Sequence, residues 1–373
     1  MVQGLPDGTI TAIVVTLAII ALVVVMFAIG VIFFCWKRCR NDEYLVTNDT
    51  GRPYPTYTGS RPNLTGLLLS EAVLGEGSDG VVYEGTYQEN KVAVKVFREN
   101  SRERFFREVA VYTSSSVDHQ NILKFIGHDE KEMRLVVALH TRGSVYTVIQ
   151  RQVLTLAEFQ LLGKSISCGL GFLHRSRPPC IVHGDLKTGN ILMKHNGEAA
   201  LADFGHSRQF FTEDVKEPMT AGTPMYAAPE LMKVRVNSRT DAKATDSYSL
   251  GVVIYELLTR TQRDQEEVEA YRQPMSEKLD GIQQPTIDEM RRHIHNNSYR
   301  PNIPKKFDVF PELVKLVQDL WSDAAETRPK AEAAYNAFIE FGLLIASRSL
   351  ASTSCTDEHL SHQSSLETAE TAF

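Results

Sequence analysis

At 373 residues and 43% hydrophobic composition, the chain carries enough apolar material for the core of one domain of about 280 residues, with flanking segments left over. A formal net charge of -6 and no long basic stripe exclude nucleic acid as the main partner. Cys35, Cys39, Cys168, Cys180 and Cys355 show no paired spacing, which excludes a disulfide framework.

From the N-terminus, residues 1–9 read as a short external segment. Ile10 to Trp36 is an almost uninterrupted apolar run, longer than the roughly 20 residues that cross a bilayer as a helix. No Lys or Arg precedes this run, while Lys37, Arg38 and Arg40 follow it. That order opposes a cleavable signal peptide and predicts a single transmembrane helix over 10–36, with the N-terminus outside and the remainder in the cytosol, at the plasma membrane. Cys35 and Cys39 at its edge are candidates for palmitoylation, idle thiols being the alternative. Residues 37–66, with Pro53, Pro55 and Pro62, suit an extended juxtamembrane linker. The acceptor patterns at Asn48, Asn63 and Asn296 fall on the cytosolic side of this topology and are expected to stay bare.

Short β-prone runs follow at Leu67 to Leu74, Val81 to Tyr87 and Lys91 to Phe97, predicting a small antiparallel sheet. Ser101 to Ser114 has Phe105, Val109 and Tyr112 at helical spacing, with Glu108 among them. Strand-like runs at Leu123 to His128 and Arg134 to Leu139 complete a small lobe before a break at Gly143. Beyond it, Leu156 to His174, Asp246 to Thr259, Pro311 to Trp321 and Arg328 to Phe341 read as helices. The last stretch, 346–373, is rich in Ser, Thr and acidic residues and reads as a disordered tail.

Five strings in one order carry the chemistry: Gly75-x-Gly77-x-x-Gly80-x-Val82; Val92-Ala93-Val94-Lys95; His183-Gly184-Asp185-Leu186-Lys187-Thr188-Gly189-Asn190; Asp203-Phe204-Gly205; and Ala228-Pro229-Glu230. The glycine loop lies between two strands, unlike the dinucleotide fingerprint, which opens a helix. Lys95 is a lone cation in an apolar strand and needs an anion. Glu108 is the natural partner, with Glu103 or a shifted register at Arg107 as alternatives.

Together these strings resemble the protein kinase family. The resemblance implies an α+β, two-lobed fold over 67–345, with a β-rich small lobe at 67–140 and a helical large lobe at 143–345. It implies ATP and Mg2+ (or Mn2+) as cofactors. The nucleotide would be lined by Gly75, Glu76, Gly77, Gly80, Val82, Ala93, Lys95, Val137, Leu139, His140 and Leu192. Lys95, Glu108, Asp185 and Lys187 would be the catalytic residues, and Asn190 and Asp203 the metal ligands. Lys187 and Thr223 point to serine and threonine acceptors. Arg328 would pair with Glu230, and Asp246 would open a buried helix and bond the catalytic-loop backbone. Gly184 departs from the arginine common in the family. That arginine clamps a phosphorylated activation segment, so phosphorylation of Thr212 or Thr220 is not expected to switch activity by that route.

The strings Asn90 to Phe97, His119 to Ile126, Leu139 to Ser144 and Leu320 to Pro329 resemble, within that family, receptor serine/threonine kinases of the transforming growth factor-β superfamily. They resemble more closely the activin or bone-morphogenetic-protein type II receptors, a branch also favoured because residues 41–63 hold no glycine-serine box. The resemblance implies a type I receptor kinase as hetero-oligomeric partner and substrate. It also implies a cysteine-rich ectodomain, for which the residues before the span are too few, so a shortened product or ligand sensing by a partner is expected. A membrane-anchored decoy or scaffold and a receptor-like kinase of another branch remain as alternatives. The ending Thr371-Ala372-Phe373 resembles a PDZ-domain ligand.

Overall fold

β-branched runs broken by glycine and polar turns build one five-stranded antiparallel sheet. Its strands are β1 (Leu68–Glu76), β2 (Gly80–Tyr87), β3 (Asn90–Phe97), β4 (Phe125–Asp129) and β5 (Arg134–Ala138), in the spatial order β1-β2-β3-β5-β4. The structure is a computed structural model and describes residues 64–114, 117–175, 179–212, 219, 221–233, 238–263, 267–279 and 281–348. The expected span at 10–36, nearly all of the linker, Thr220 and the tail from 349 lie outside these residues. Among the described residues no helix is long and apolar enough to cross a membrane.

β3 is the pivot of the sheet, flanked by strands on both sides, with Val92 and Val94 fully buried. Its register sets Lys95 opposite Val82 on β2 and Leu135 on β5, and sets Ala93 opposite Val137. The hairpin from β2 to β3 turns on Gln88 and Glu89, both in the left-handed region at φ 47° and 62°, the twist a two-residue hairpin requires. Helix α1 (Arg102–Thr113) buries Phe105, Glu108, Val109 and Tyr112, a stripe at three- and four-residue spacing. Glu108 thus belongs to the face turned inward, toward β3.

The second lobe is helical: α2 (Val145–Arg151), α3 (Leu156–Leu173), the short α4 (Glu230–Lys233), α5 (Arg239–Thr259), α6 (Ile287–His293), α7 (Pro311–Leu320) and α8 (331–348). A capping box of Thr155 and Glu158 opens α3, and one of Thr286 and Glu289 opens α6. Two small two-stranded sheets, β6 (Cys180–Val182) with β9 (Arg208–Phe210) and β7 (Ile191–Met193) with β8 (Ala199–Leu201), frame the loops between them. α5 is buried nearly all round and is the axis of this lobe. It starts at Arg239, where the Ser238 side chain accepts from the Asp241 N–H, seven residues before the expected start. Asp246 therefore lies two turns inside the helix. The polar run Arg239 to Asp246 hid those turns, because a helix end capped by its own polar groups shows no apolar period. α2 and α6 were missed for shortness, and α8 runs on past Phe341 to residue 348.

α3 and α8 approach so closely that a Cβ on Gly163 would lie 2.1 Å from the Phe338 ring. Arg328, between α7 and α8, sits beneath α4 with its side chain fully buried. Its two terminal nitrogens bond both oxygens of Glu230 at 2.6 and 2.9 Å, and further bonds reach the carbonyls of Ser322 and Ala244. Removing one partner of such a pair strands the other. Arg328→Ala should lower unfolding free energy by about 3–5 kcal/mol in urea titration, and an unchanged midpoint would contradict this account of the lobe.

Candidate active site

The glycine loop joins β1 to β2 as a closed hairpin. The Gly77 N–H donates to the Gly80 carbonyl at 3.0 Å, and the Arg98 N–H donates to Asp79 at 2.8 Å. The Arg98 side chain clasps the loop, pairing with Glu76 at 2.6 Å and donating to the carbonyls of Gly77 and Ser78. The three glycines are needed for different reasons. A Cβ at Gly80 would lie 2.1 Å from the Val96 carbonyl, so Gly80 lets two strands meet. Gly75 and Gly77 face open space, which leaves their backbone free to approach a ligand. Below the loop, Val82, Ala93, Val137, Leu139 and Leu192 are buried or half-buried apolar residues, and His140 follows Leu139 in the link to the second lobe. Glu76 differs from them: it is exposed and engaged by Arg98, a positioning contact on the loop.

Lys95 places Nζ 2.9 Å from Glu108 Oε2 and 2.9 Å from Asp203 Oδ1. Glu108, not Glu103 or Arg107, is thus the partner; Glu103 pairs with Arg107 on the exposed flank of α1. Burial alone would lower the Lys95 pKa, but the carboxylates of Asp203 and Glu108 outweigh it and hold the ammonium firmly protonated. Burial opposes ionisation of Asp203 too, and there Lys95 wins, keeping the carboxyl below the usual range. Glu108 goes the other way: burial, with Asp203 nearby, raises it against the pull of Lys95. Asp203 takes a positive φ of 64°, a strained conformation for a side-chain-bearing residue. Arg107 reaches across from α1 to the Gly205 carbonyl at 2.9 Å, and the Phe204 ring meets Tyr112 and His183 at centroid distances of 5.1 and 5.3 Å. The strained loop is therefore held from both lobes.

Asp246 supports the second cluster from below. Its carboxylate accepts the N–H groups of His183 and Gly184 at 2.7 and 2.9 Å and a bond from His174 at 2.8 Å. Burial works against the charge, yet the His174 bond and charge keep Asp246 lowered. On this base Asp185 is bonded on each oxygen: the Thr223 N–H reaches Oδ1 at 2.6 Å, and Lys187 and the Asn190 amide reach Oδ2 at 2.9 and 3.0 Å. Lys187 also donates to the Thr223 hydroxyl at 2.6 Å. Gly222 permits this closure, since a Cβ there would lie 2.4 Å from Asp185 Oδ1. One residue past Lys187, Thr188 donates to Glu256 on α5, which also accepts from Tyr226 and Tyr271. Burial pushes Glu256 up to about 7 despite those donors. Glu256 escaped the sequence reading, although a lone carboxylate in the apolar run Val252 to Leu258 was a signal of the same kind as Lys95.

The sequence-predicted residues thus assemble into two adjoining groups, Lys95-Glu108-Asp203 and Asp185-Lys187-Asn190-Thr223, under the glycine loop. Asn190 donates through its amide nitrogen, leaving its side-chain oxygen for other ligands, and Asp203 gives Lys95 one oxygen of two. A hard divalent cation such as Mg2+ suits such oxygen donors, which it commonly shares with phosphates and water. Among the described residues no cluster of three or more His, Cys, Asp or Glu forms an all-protein metal cage.

Comparison with known proteins matches the protein kinase domain to residues 69–338. Human activin receptor type-1B is 30% identical over 297 residues, covering 74% of this chain and 58% of that protein. Human activin receptor type-1 is 32% identical over 275 residues, with 68% and 53% covered, and rat TGF-beta receptor type-1 is 30% identical over 275 residues, with 68% and 54% covered. The chain thus spans little more than half the length of these relatives, and their names are of type 1 where the sequence motifs had favoured type II. By the extent of the kinase-domain match, the chain belongs to the protein kinase family.

Proposed function

We propose that this protein transfers the γ-phosphoryl group of ATP to serine and threonine hydroxyls of a protein substrate, as a membrane-anchored receptor kinase of the transforming growth factor-β superfamily. The observation that carries the reading is the Asp185-Lys187-Thr223 triangle beside the Lys95-Glu108-Asp203 triad. Lys95 would hold the nucleotide's phosphates, with Gly75 and Gly77 offering backbone N–H groups above them. Asp185 would orient the acceptor hydroxyl and receive its proton, while the ammonium of Lys187 balances charge on the transferred group. Asn190 and Asp203 would hold Mg2+, which neutralises phosphate charge when bound. Val82, Ala93, Val137, Leu139, His140 and Leu192 would enclose the base.

The finer assignment is to the type II branch, acting on a type I receptor kinase as partner. Its support is the motif strings and the absence of a glycine-serine box from residues 41–63. Against it stand the type-1 names of the relatives; identities near 30% leave room for a different branch of the same superfamily. The apolar run at 10–36 supports the membrane anchor.

Gly184 bears on control. It lies at φ 77°, and a Cβ would come 2.7 Å from the His206 carbonyl. The start of the activation segment thus packs directly on the glycine, and Arg107 ties Gly205 from the other lobe. Both contacts hold the segment without a phosphate.

The full chain is expected to phosphorylate a fragment bearing a type I regulatory box on serine and threonine. Lys95→Met and Asp185→Asn should each lose at least about a hundredfold in rate, the order of a lost electrostatic or acid-base group. Equal rates in all three proteins would leave the scaffold reading; active enzyme indifferent to the box would remove the type II assignment. Gly184→Arg, which would supply the usual clamp, should instead lower activity and thermal stability together, because the side chain strains a left-handed backbone against His206. Gain of phosphorylation-dependent activity in that variant would overturn the packing account.

A further inference from the structure

Residues 75–78 of the glycine loop are exposed, yet Asp79 beside them is only 7% exposed. A carboxylate turned inward in this way needs a partner. That partner is Arg104 on α1, whose Nη1 donates to Asp79 Oδ1, and the Ser78 hydroxyl donates to the same oxygen at 3.0 Å. The other oxygen lies against the Asp-Phe-Gly turn. A Cβ on Gly205 would be 3.5 Å from Asp79 Oδ2, and likewise 3.5 Å from Asp203 Oδ1 and Arg104 Cβ. Asp203 Oδ1 is the oxygen that Lys95 holds. The loop therefore lays a carboxylate beside the groups that the proposed reading gives to the phosphates.

Arg104 stands one turn before Glu108 on α1, and residues so spaced share a helix face. Arg107 on the same helix donates to the Gly205 carbonyl at 2.9 Å. One helix thus ties β3 through Lys95, the turn through Gly205 and the glycine loop through Asp79. Just past β3, Arg98 bonds the carbonyls of Gly77 and Ser78, and its N–H donates to the Asp79 carbonyl at 2.8 Å. Backbone and side chain of Asp79 are both fixed, so the loop is held down over the site.

We infer that Asp79 and Arg104 form a latch on the glycine loop, and that the phosphates of an entering nucleotide must displace the Asp79 carboxylate. The inference rests on the kinase reading and adds to it a gate made from the protein's own charge. A carboxylate and a phosphate brought together in a site screened from water repel. Arg104, once released, faces the new anion, since a guanidinium pairs with phosphate as it does with carboxylate. The latched state lowers the apparent affinity for ATP by the fraction of loops that stand open. Adenosine carries no phosphate and meets no such competition. The gate therefore reads the phosphate chain, while the base is left to the apolar residues beneath the loop.

The test titrates the full chain with ATP and with adenosine, each with Mg2+, by calorimetry, and follows amide hydrogen exchange of residues 75–80 with no nucleotide added. Asp79→Asn keeps the shape and removes the charge. It should bind ATP at least about fivefold more tightly, leave adenosine binding unchanged and speed loop exchange about tenfold. Arg104→Gln should also speed that exchange, but it leaves the carboxylate in place without its cation and should bind ATP no more tightly than wild type. This split separates a gate from a contact that serves shape alone, whose loss would weaken ATP binding in both variants. ATP affinity unchanged or weakened in Asp79→Asn, or adenosine tightened as much as ATP, overturns the gate. Loop exchange unchanged in either variant overturns the latch. Absence of ATP binding in all three proteins would remove the gate together with the kinase reading, whereas the exchange measurement uses no nucleotide and decides the latch by itself.

Discussion

The Lys95 ammonium, almost withdrawn from water, stands 2.9 Å from two carboxylates carried by elements far apart in the chain. None of the three groups is tolerable alone. A buried ammonium without an anion costs several kcal/mol, and without the cation the buried Glu108 and the half-buried Asp203 would leave two negative charges near each other. Their mutual need fixes β3, α1 and the Asp203 loop in one arrangement, and the strained backbone at Asp203 persists because that arrangement over-determines it. The opposite shifts of the two carboxyls express the same competition, since the ammonium that holds Asp203 ionised cannot fully offset the burial of Glu108.

Legibility in the sequence followed how locally each feature is determined. The strands around β3 showed as short β-prone runs between glycine and polar turns, and the helix carrying Glu108 as a three-to-four period, because that helix buries one face. α5 was read late because its first two turns are polar and capped by Ser238, while its remainder is apolar all round. The site motifs were legible because glycine, lone charges and Asp-Phe-Gly stand out against their neighbours. Their supports were not. Nothing near Arg98 announces that it will clasp Gly77 and Ser78 across twenty residues, and nothing near Gly222 announces that Asp185 will lie against it. Such contacts are made by tertiary closure, which leaves only a residue type that looks ordinary in its own window.

Gly184 shows how one departure changes meaning when seen in place. As a missing arginine it signals the loss of a phosphate clamp. In the folded chain it is also a requirement, since its left-handed backbone and the His206 carbonyl against its Cα admit no side chain. Ser207 then donates to the His183 carbonyl at 2.9 Å, so catalytic loop and activation segment are joined on both sides of the glycine. On the proposed reading, close packing takes the place that charge pairing fills in the usual family pattern.

Two ammonium groups divide the negative charge of the site between them. Lys95 is committed to Glu108 and Asp203, and Lys187 to Asp185 and the Thr223 hydroxyl. On the proposed reading this division matters, because a single cation shared by Asp185 and Asp203 would couple the proton acceptor to the phosphate-binding group. Lys187 instead moves with the catalytic loop, whose backbone hangs on Asp246, and Lys95 moves with the sheet. The Lys95–Asp203 pair bridges the sheet and the second lobe, so it ties the two lobes at the site, while Asp185 keeps a separate counter-charge in Lys187.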